Sequence, residues 1–260
     1  QGNMQVIATS IQRVDPRGID EADYRVLSGG DIDGLIDELR SLAAAISNDD
    51  LRLLAESLLA QGPLLDAFKR SPAGIKHHHA YAGGLVDHVT SLARLVTRVA
   101  PLYPSIDPEL LLVGVLCHDI GKTVELESEK GFSYTDPGQL LGHVLLGLEI
   151  VDDQISAVEQ QLGRPFDAEL AIRIKHMIAS HHGHYEFGAP KLPMTLEAIA
   201  LHHLDHFDAQ MASTIQLMQN EASMDGGWTQ YHANHGRKFF RGRDHAAAAG
   251  GGDGKAGRTA

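Results

Sequence analysis

Histidine and aspartate recur in this chain at positions where apolar residues would be expected, and those positions carry its chemistry. Of the 16 histidines, His88 sits one turn after Leu85 on the helical face Leu85, Val89, Leu92, Val96 and Val99. The pair His118-Asp119 closes the run Leu111, Leu112, Val115, Leu116. His143 lies among Leu140, Leu141 and Val144, His181 continues the face Leu170, Ile174, Met177, and Asp205 interrupts another apolar helical stretch. A carboxylate buried without a partner costs several kcal/mol, roughly 3–5 when an ion pair is broken, so Asp119 and Asp205 require cations. Neutral imidazoles and carboxylates converging on one or two divalent ions meet that need. The donor mixture suits Mn, Fe, Co, Ni or Zn better than Mg, which prefers oxygen alone. A thiolate zinc site is excluded by the single cysteine; Cys117 stands in an apolar run and reads as a small core residue.

Further residues cluster around this set. His78, His79 and Tyr81 precede the first histidine helix, and Glu186 and Lys191 follow the doublet His181-His182; both groups are candidates to line a substrate cleft. His202, His203 and His206 crowd Asp205, and His202 shares its helical face and is the alternative ligand there. Gly142 and Gly147 flank His143 inside a helical pattern, where each glycine costs about 1 kcal/mol relative to alanine; close backbone approach near the metal would account for them. Other chemistries find no support: HDIGK lacks the upstream glycine of a phosphate loop, and neither a dinucleotide fingerprint nor a Gly-x-Ser-x-Gly elbow occurs.

The elements that must position these residues are helical. The hydrophobic share is 43% and the aromatic share only 5%, with Leu and Ala throughout, which favours an all-α body. Leu35, Ile36, Leu39, Leu42 and Ile46 follow a 3.6-residue period, and Leu51, Leu54, Leu58 and Leu59 form a second run that stops at Gly62-Pro63. A helix ends at Pro101, and Asp107-Pro108 opens another that runs to Gly121. A loop or small hairpin is expected over 124–136, a long helix from Pro137 to Leu162, one capped by Asp167 to about His182, and a last one capped by Thr195 to about Ser223. The domain organisation is thus an extension over 1–30 with one strand-like segment at 4–14, a helical domain over 31–230, and a basic, low-complexity, disordered tail over 231–260. No transmembrane run, signal-like start or disulfide pair occurs, so a cytoplasmic protein is expected; its oligomeric state is left open. The net charge of −12 is uneven: residues 1–236 hold 16 Lys/Arg against 32 Asp/Glu, a balance of −16, whereas Arg237 onward is basic.

The ordered set His88, His118-Asp119 and Asp205 resembles the H…HD…D signature of the HD superfamily of metal-dependent phosphohydrolases, with the doublet in the typical context HDIGK. His143 in LLGH and His181-His182 in SHHG resemble branches that bind a second metal. The segments KHHHAYAGGLVDHV, HDIGKTVEL, QLLGHVLLG, HMIASHHGHYEFGAPKLPMTLEA and LHHLDHFDAQM are similar to the bacterial 3′-to-5′ exoribonucleases of the YhaM family over roughly residues 60–220. The resemblance implies an HD-domain helical bundle in which His88, His118, Asp119 and Asp205 hold one ion. It implies a second ion held by His143, His181 and His182, with Asp119 bridging and Lys122 neutralising phosphate charge in the transition state. That family places an OB-fold module before the HD domain; only residues 4–14 stand where its end would lie, so a complete module is not expected. The implied activity is exonucleolytic cleavage of single-stranded RNA or DNA. A phosphohydrolase of small nucleotides or cyclic dinucleotides is the alternative, and a noncatalytic HD protein binding metal and nucleic acid is the alternative of another class.

Overall fold

The computed structural model describes residues 27, 29–74, 81–127, 133–221 and 227–242. The helices are α1 (Gly29–Ala44), α2 (Asp49–Leu58), α3 (Pro63–Arg70), α4 (Gly84–Val99), α5 (Pro108–Cys117), α6 (Lys122–Glu125), α7 (Asp136–Leu162), α8 (Ala168–Ser180) and α9 (Leu196–Asn220). Strands β1 (Leu126–Glu127) and β2 (Ser133–Tyr134) form an antiparallel pair between α6 and α7, with Leu126 opposite Tyr134. The architecture is the expected all-α bundle. Among the described residues no helix is long and apolar enough to cross a membrane.

The helix starts follow from capping chemistry. The side chains of Asn48, Asp107, Thr135, Asp167 and Thr195 each accept a hydrogen bond from the first turn of α2, α5, α7, α8 and α9 respectively, satisfying amides that have no partner inside the helix. Gly62-Pro63, expected as a stop, lies just beyond the end of α2 at Leu58 and starts the next helix instead: with its fixed φ, Pro63 occupies the first position of α3. Strand-like residues 4–14 and tail residues 243–260 lie outside the described residues.

Helix α5 is the axis of the molecule. Every residue from Leu110 to Cys117 is buried, as a helix apolar on all sides must be, and α2, α4, α8 and α9 pack around it. A side chain at its C-terminal end therefore emerges from the centre of the bundle, and that end is His118-Asp119.

Residues 231–242, read as part of a disordered tail, are paired instead. Antiparallel bridges join Trp228 to Phe240 and His232 to Arg237, and Glu221 at the end of α9 accepts from Gln230 N–H at 2.9 Å and from His232 at 2.8 Å. Composition does not register such an anchor, because the ordering comes from one carboxylate in the preceding helix.

Away from the histidines, α2 is tied to the turn between α7 and α8 through buried Asp50, which accepts from Arg164 at 3.1 Å and from Asp167 N–H at 2.7 Å. The Arg164 hydrogen bond lowers the Asp50 pKa against the opposing effect of burial, with the Asp167 amide helping. A depressed folded-state pKa contributes stability above the unfolded value of about 3.9 and loses it as pH falls through the folded one. Asp50→Asn should therefore destabilise the protein by about 1–3 kcal/mol at neutral pH, a deficit that shrinks below about pH 4; urea unfolding at both pH values measures it.

Candidate metal centre

Asp119 is the hub. Its Oδ2 lies 3.3 Å from His118 Nε2 and 3.9 Å from His88 Nε2, and its Oδ1 lies 3.5 Å from His143 Nε2 and 3.6 Å from His181 Nε2. His88 Nε2 is also 3.2 Å from Asp205 Oδ1, and the Nε2 atoms of His143 and His182 are 3.2 Å apart. Two groups of potential ligand atoms result, His88, His118 and Asp119 on one side and His143, His181 and His182 on the other, each with its atoms within 4.8 Å of one another.

The rings are aimed by what their outer nitrogens touch. Nδ1 of His118 meets Val115 O at 2.8 Å, and Nδ1 of His181 meets Ile178 O at 2.8 Å. Both acceptors are carbonyls at helix C-terminal ends, which lack a partner inside the helix. His88 Nδ1 is 2.8 Å from Asp208 Oδ2, and His143 Nδ1 is 3.1 Å from Glu125 Oε1. Each contact places the proton on Nδ1 and turns the Nε2 lone pair inward, the outer arrangement that metal-binding histidines use.

Divalent ions fit this set. Buried His118 Nε2, His181 Nε2 and Asp119 Oδ1 have no hydrogen-bond partner, and native interiors rarely tolerate such atoms unless something else satisfies them. Ligand atoms held about 2.0–2.2 Å from one ion lie about 3–3.5 Å from each other, close to most of the separations found here. Burial lowers the pKa values of His181 and His182, with neighbouring imidazoles adding to it, which keeps both rings neutral and able to donate lone pairs. Burial alone would raise the Asp119 pKa, but the Lys122 ammonium first and then the adjoining His118 hold it well below the carboxylate range.

Residues 85–210 match the family described as HD domain. These residues form an HD domain. Curated relatives of the chain include the 3′-5′ exoribonuclease YhaM of Listeria innocua, 34% identical over 81% of this chain and 65% of the relative. The 3′-5′ exoribonuclease YhaM of Bacillus subtilis is 42% identical over 55% of this chain and 44% of the relative. The chain thus spans less than two thirds of the length of these relatives. No solved structure matches it.

Within the HD domain, two glycine positions make the geometry possible. Gly142 has φ +74° and breaks α7, which releases the His143 amide to donate to Glu125 Oε1 at 3.0 Å; a residue with a side chain is strained there. Gly121, in the segment HDIGK, packs so closely on α7 that an added Cβ would lie 2.0 Å from His143 O and 2.6 Å from Gly147 N. The expected close approach therefore holds, with Gly121 as the residue that cannot be enlarged and Gly147 as the surface it meets.

The remaining expectations divide. Lys122 reaches the centre, but its ammonium donates to Asp119 Oδ2 at 2.6 Å and Ala73 O at 2.7 Å, so it partners the hub carboxylate. Tyr81 donates its hydroxyl to Asp87; burial first and then Asp87 raise its pKa, keeping it a donor. Glu186 and Lys191 are exposed, with no side-chain contact to the ligand set, and His78 and His79 lie outside the described residues. His202 does not take the place of Asp205: its Nδ1 meets His181 O at 2.8 Å, and its ring fills the space beside Gly183, where an added Cβ would lie 2.0 Å from it. It supports the doublet turn from behind.

The sequence reading missed Asp208 and Glu125. Asp208 could have been found, since it follows Asp205 by three residues and so shares its helical face; no comparable spacing pointed to Glu125. Burial opposes charge on His88, but hydrogen bonds to Asp205 and Asp208 raise its pKa to about 9, so ion binding there must displace a proton. Asp208→Asn should weaken divalent-ion affinity by about 10- to 100-fold. In the parent protein affinity should rise with pH toward about 9. Calorimetry in buffers of different ionisation enthalpy reads both, and unchanged affinity in the variant would remove Asp208 from the centre.

Proposed function

We propose that this protein is a metal-dependent phosphohydrolase that cleaves phosphodiester bonds, acting as a 3′-to-5′ exonuclease on single-stranded RNA or DNA. The observation that carries the reading is the position of Asp119, with imidazole nitrogens facing each of its two oxygens. His88, His118, Asp119 and Asp205 would hold one divalent ion, and His143, His181 and His182 a second, with Asp119 bridging. Bound there, divalent ions would supply Lewis-acid charge and an activated water at neutral pH. Imidazoles make up five of these seven residues, which favours Mn, Fe, Co, Ni or Zn over Mg.

The protein's own groups set the rest. Asp205 and Asp119 balance the positive charge, while Asp208 and Glu125 keep the His88 and His143 rings from rotating. Lys122, whose ammonium donates to Asp119 Oδ2 and Ala73 O, would be the catalytic cation, offering its charge to a phosphate oxygen developing negative charge. Tyr81, Glu186 and Lys191, with His78 and His79, would border the substrate. The direction of cleavage rests on the 3′-5′ exoribonuclease activity for which the YhaM relatives are named. A cytoplasmic setting is part of this reading and rests on the lone, buried Cys117.

Hydrolysis of small nucleotides is the second reading, favoured by the −16 balance of residues 1–236, which repels a long polyanion. End-labelled single-stranded RNA, bis-p-nitrophenyl phosphate and cyclic dinucleotides, each assayed with Mn, Mg and chelator, separate the two. Stepwise shortening from the 3′ end supports the first; turnover confined to the small esters supports the second, and full activity in excess chelator ends both.

Asp119→Ala should abolish hydrolysis of every phosphodiester, by at least about 10³-fold, while the circular dichroism stays helical, because both halves of the centre share this carboxylate. Turnover near the parental rate would overturn the assignment of the hub. His143→Ala should halve the bound metal and leave the His88 side loaded; loss of both ions, or of neither, contradicts the partition.

A further inference from the structure

Residues 227–242 form a small ordered hairpin that the catalytic reading does not use. Trp228, Tyr231 and Phe240 are 57%, 62% and 53% exposed, and the Trp228 and Phe240 rings lie 5.0 Å apart across the bridge that joins these residues. Three aromatics left in water on so short a segment are unusual in a chain whose aromatic content is 5%. The backbone beneath them is tied down. Thr229 N–H donates to Phe239 O at 2.9 Å, Arg241 N–H to Gly227 O at 2.7 Å and His232 N–H to Arg237 O at 3.0 Å. The Arg241 side chain donates to the carbonyl of Glu221 and so pins the hairpin to α9. Exposed Arg237 and Lys238 stand on the same hairpin, which contains no Asp or Glu.

We infer that this hairpin is a docking platform for single-stranded nucleic acid, separate from the metal centre, in which bases stack on Trp228, Tyr231 and Phe240 while Arg237 and Lys238 take the phosphates. Aromatic faces beside cations suit sequence-independent single-strand binding, and the one carboxylate recorded against the hairpin, that of Glu221, is taken up by Gln230 N–H and His232. A protein partner fits less well, because the apolar surface is broken by cations and is too small for a stable interface. The platform offsets the charge problem of the acidic body: it gives a polyanion one place of opposite sign. Glu221, the cap of α9, follows Asp205 by 16 positions, a rise of about 24 Å, so a strand held here reaches the metal centre only if it is several nucleotides long. The inference deepens the nucleic-acid reading of the proposed function and rests on it.

The chain has one tryptophan, so its fluorescence reports this position alone. The experiment titrates a twelve-residue oligouridylate into the full chain in chelator, which stops turnover, and follows tryptophan emission together with the anisotropy of a labelled copy. Saturable quenching is expected. Trp228→Ala should weaken binding by about 5- to 100-fold. Arg237→Gln combined with Lys238→Gln, both exposed and able to fold, should lower the slope of log affinity against log salt by about 1.4, the share of two phosphate contacts. No quenching, or parental affinity and salt slope in the charge variant, overturns the platform. Concentration-dependent dimers of the parent that disappear in Trp228→Ala, with no oligouridylate binding, would also overturn it and make the surface a protein interface. Bis-p-nitrophenyl phosphate turnover by the parent is measured alongside, so failure of the metal reading is seen independently of failure of the platform.

Discussion

Burial of one carboxylate at the end of the most apolar helix governs this structure. Asp119 is carried into the centre of the bundle by α5, whose residues from Leu110 to Cys117 are all buried. An ionised carboxylate there, 3% exposed, is tolerable only if positive charge surrounds it. Lys122 supplies one such charge, and imidazoles from α4, α7 and the end of α8 surround the remaining space. Four segments distant in sequence therefore converge because a single charge has to be met from all sides.

Meeting it requires helices to stop or break at defined points. α5 and α8 end where His118 and His181 turn back onto the carbonyls of Val115 and Ile178, so the helix ends themselves orient the rings. α7 cannot end there, because it continues as a long packing helix, and it opens at Gly142 instead. The freed His143 amide and the His143 ring both take the same Glu125 oxygen, which fixes backbone and side chain together. Gly121 then brings the loop after α5 against the opened turn of α7. These two glycines account for how a fourth histidine reaches a site built from helix ends.

Much of this was legible in the amino-acid order. His88, His118, Asp119, His143, His181 and Asp205 stand out because polar residues on apolar faces must be matched by something, and periodicity identifies the faces. The capping residues Asp107, Asp167 and Thr195 were legible because their side-chain chemistry acts within a few residues. What escaped depends on contacts across long separations. Glu125 meets His143 from 18 residues away, and nothing in its own segment indicates a partner. Helix α3 escaped because Gly62-Pro63 is a boundary signal that reads equally as an end or a beginning. The hairpin at 227–242 escaped because composition measures average burial, while its order comes from Glu221 and two bridged rings.

Helix α9 gives these local devices a common frame. Its first turns are buried against α5 and α8, with Glu197, Ala198 and Leu201 in the interior. Its middle carries His202, Asp205 and Asp208, which act in turn on the carbonyl of His181, on the Nε2 of His88 and on its Nδ1. Its last turns leave Met211 and Ile215 exposed and end at Glu221, on which the hairpin is built. A rigid element that is buried at one end and carries candidate-site residues along its middle holds its far end at a fixed distance from that site. The acidic body weakens attraction of any long polyanion to that site, so under the proposed nucleic-acid reading a basic, aromatic surface at the end of that strut would make substrate length, rather than base identity, the property by which this protein discriminates.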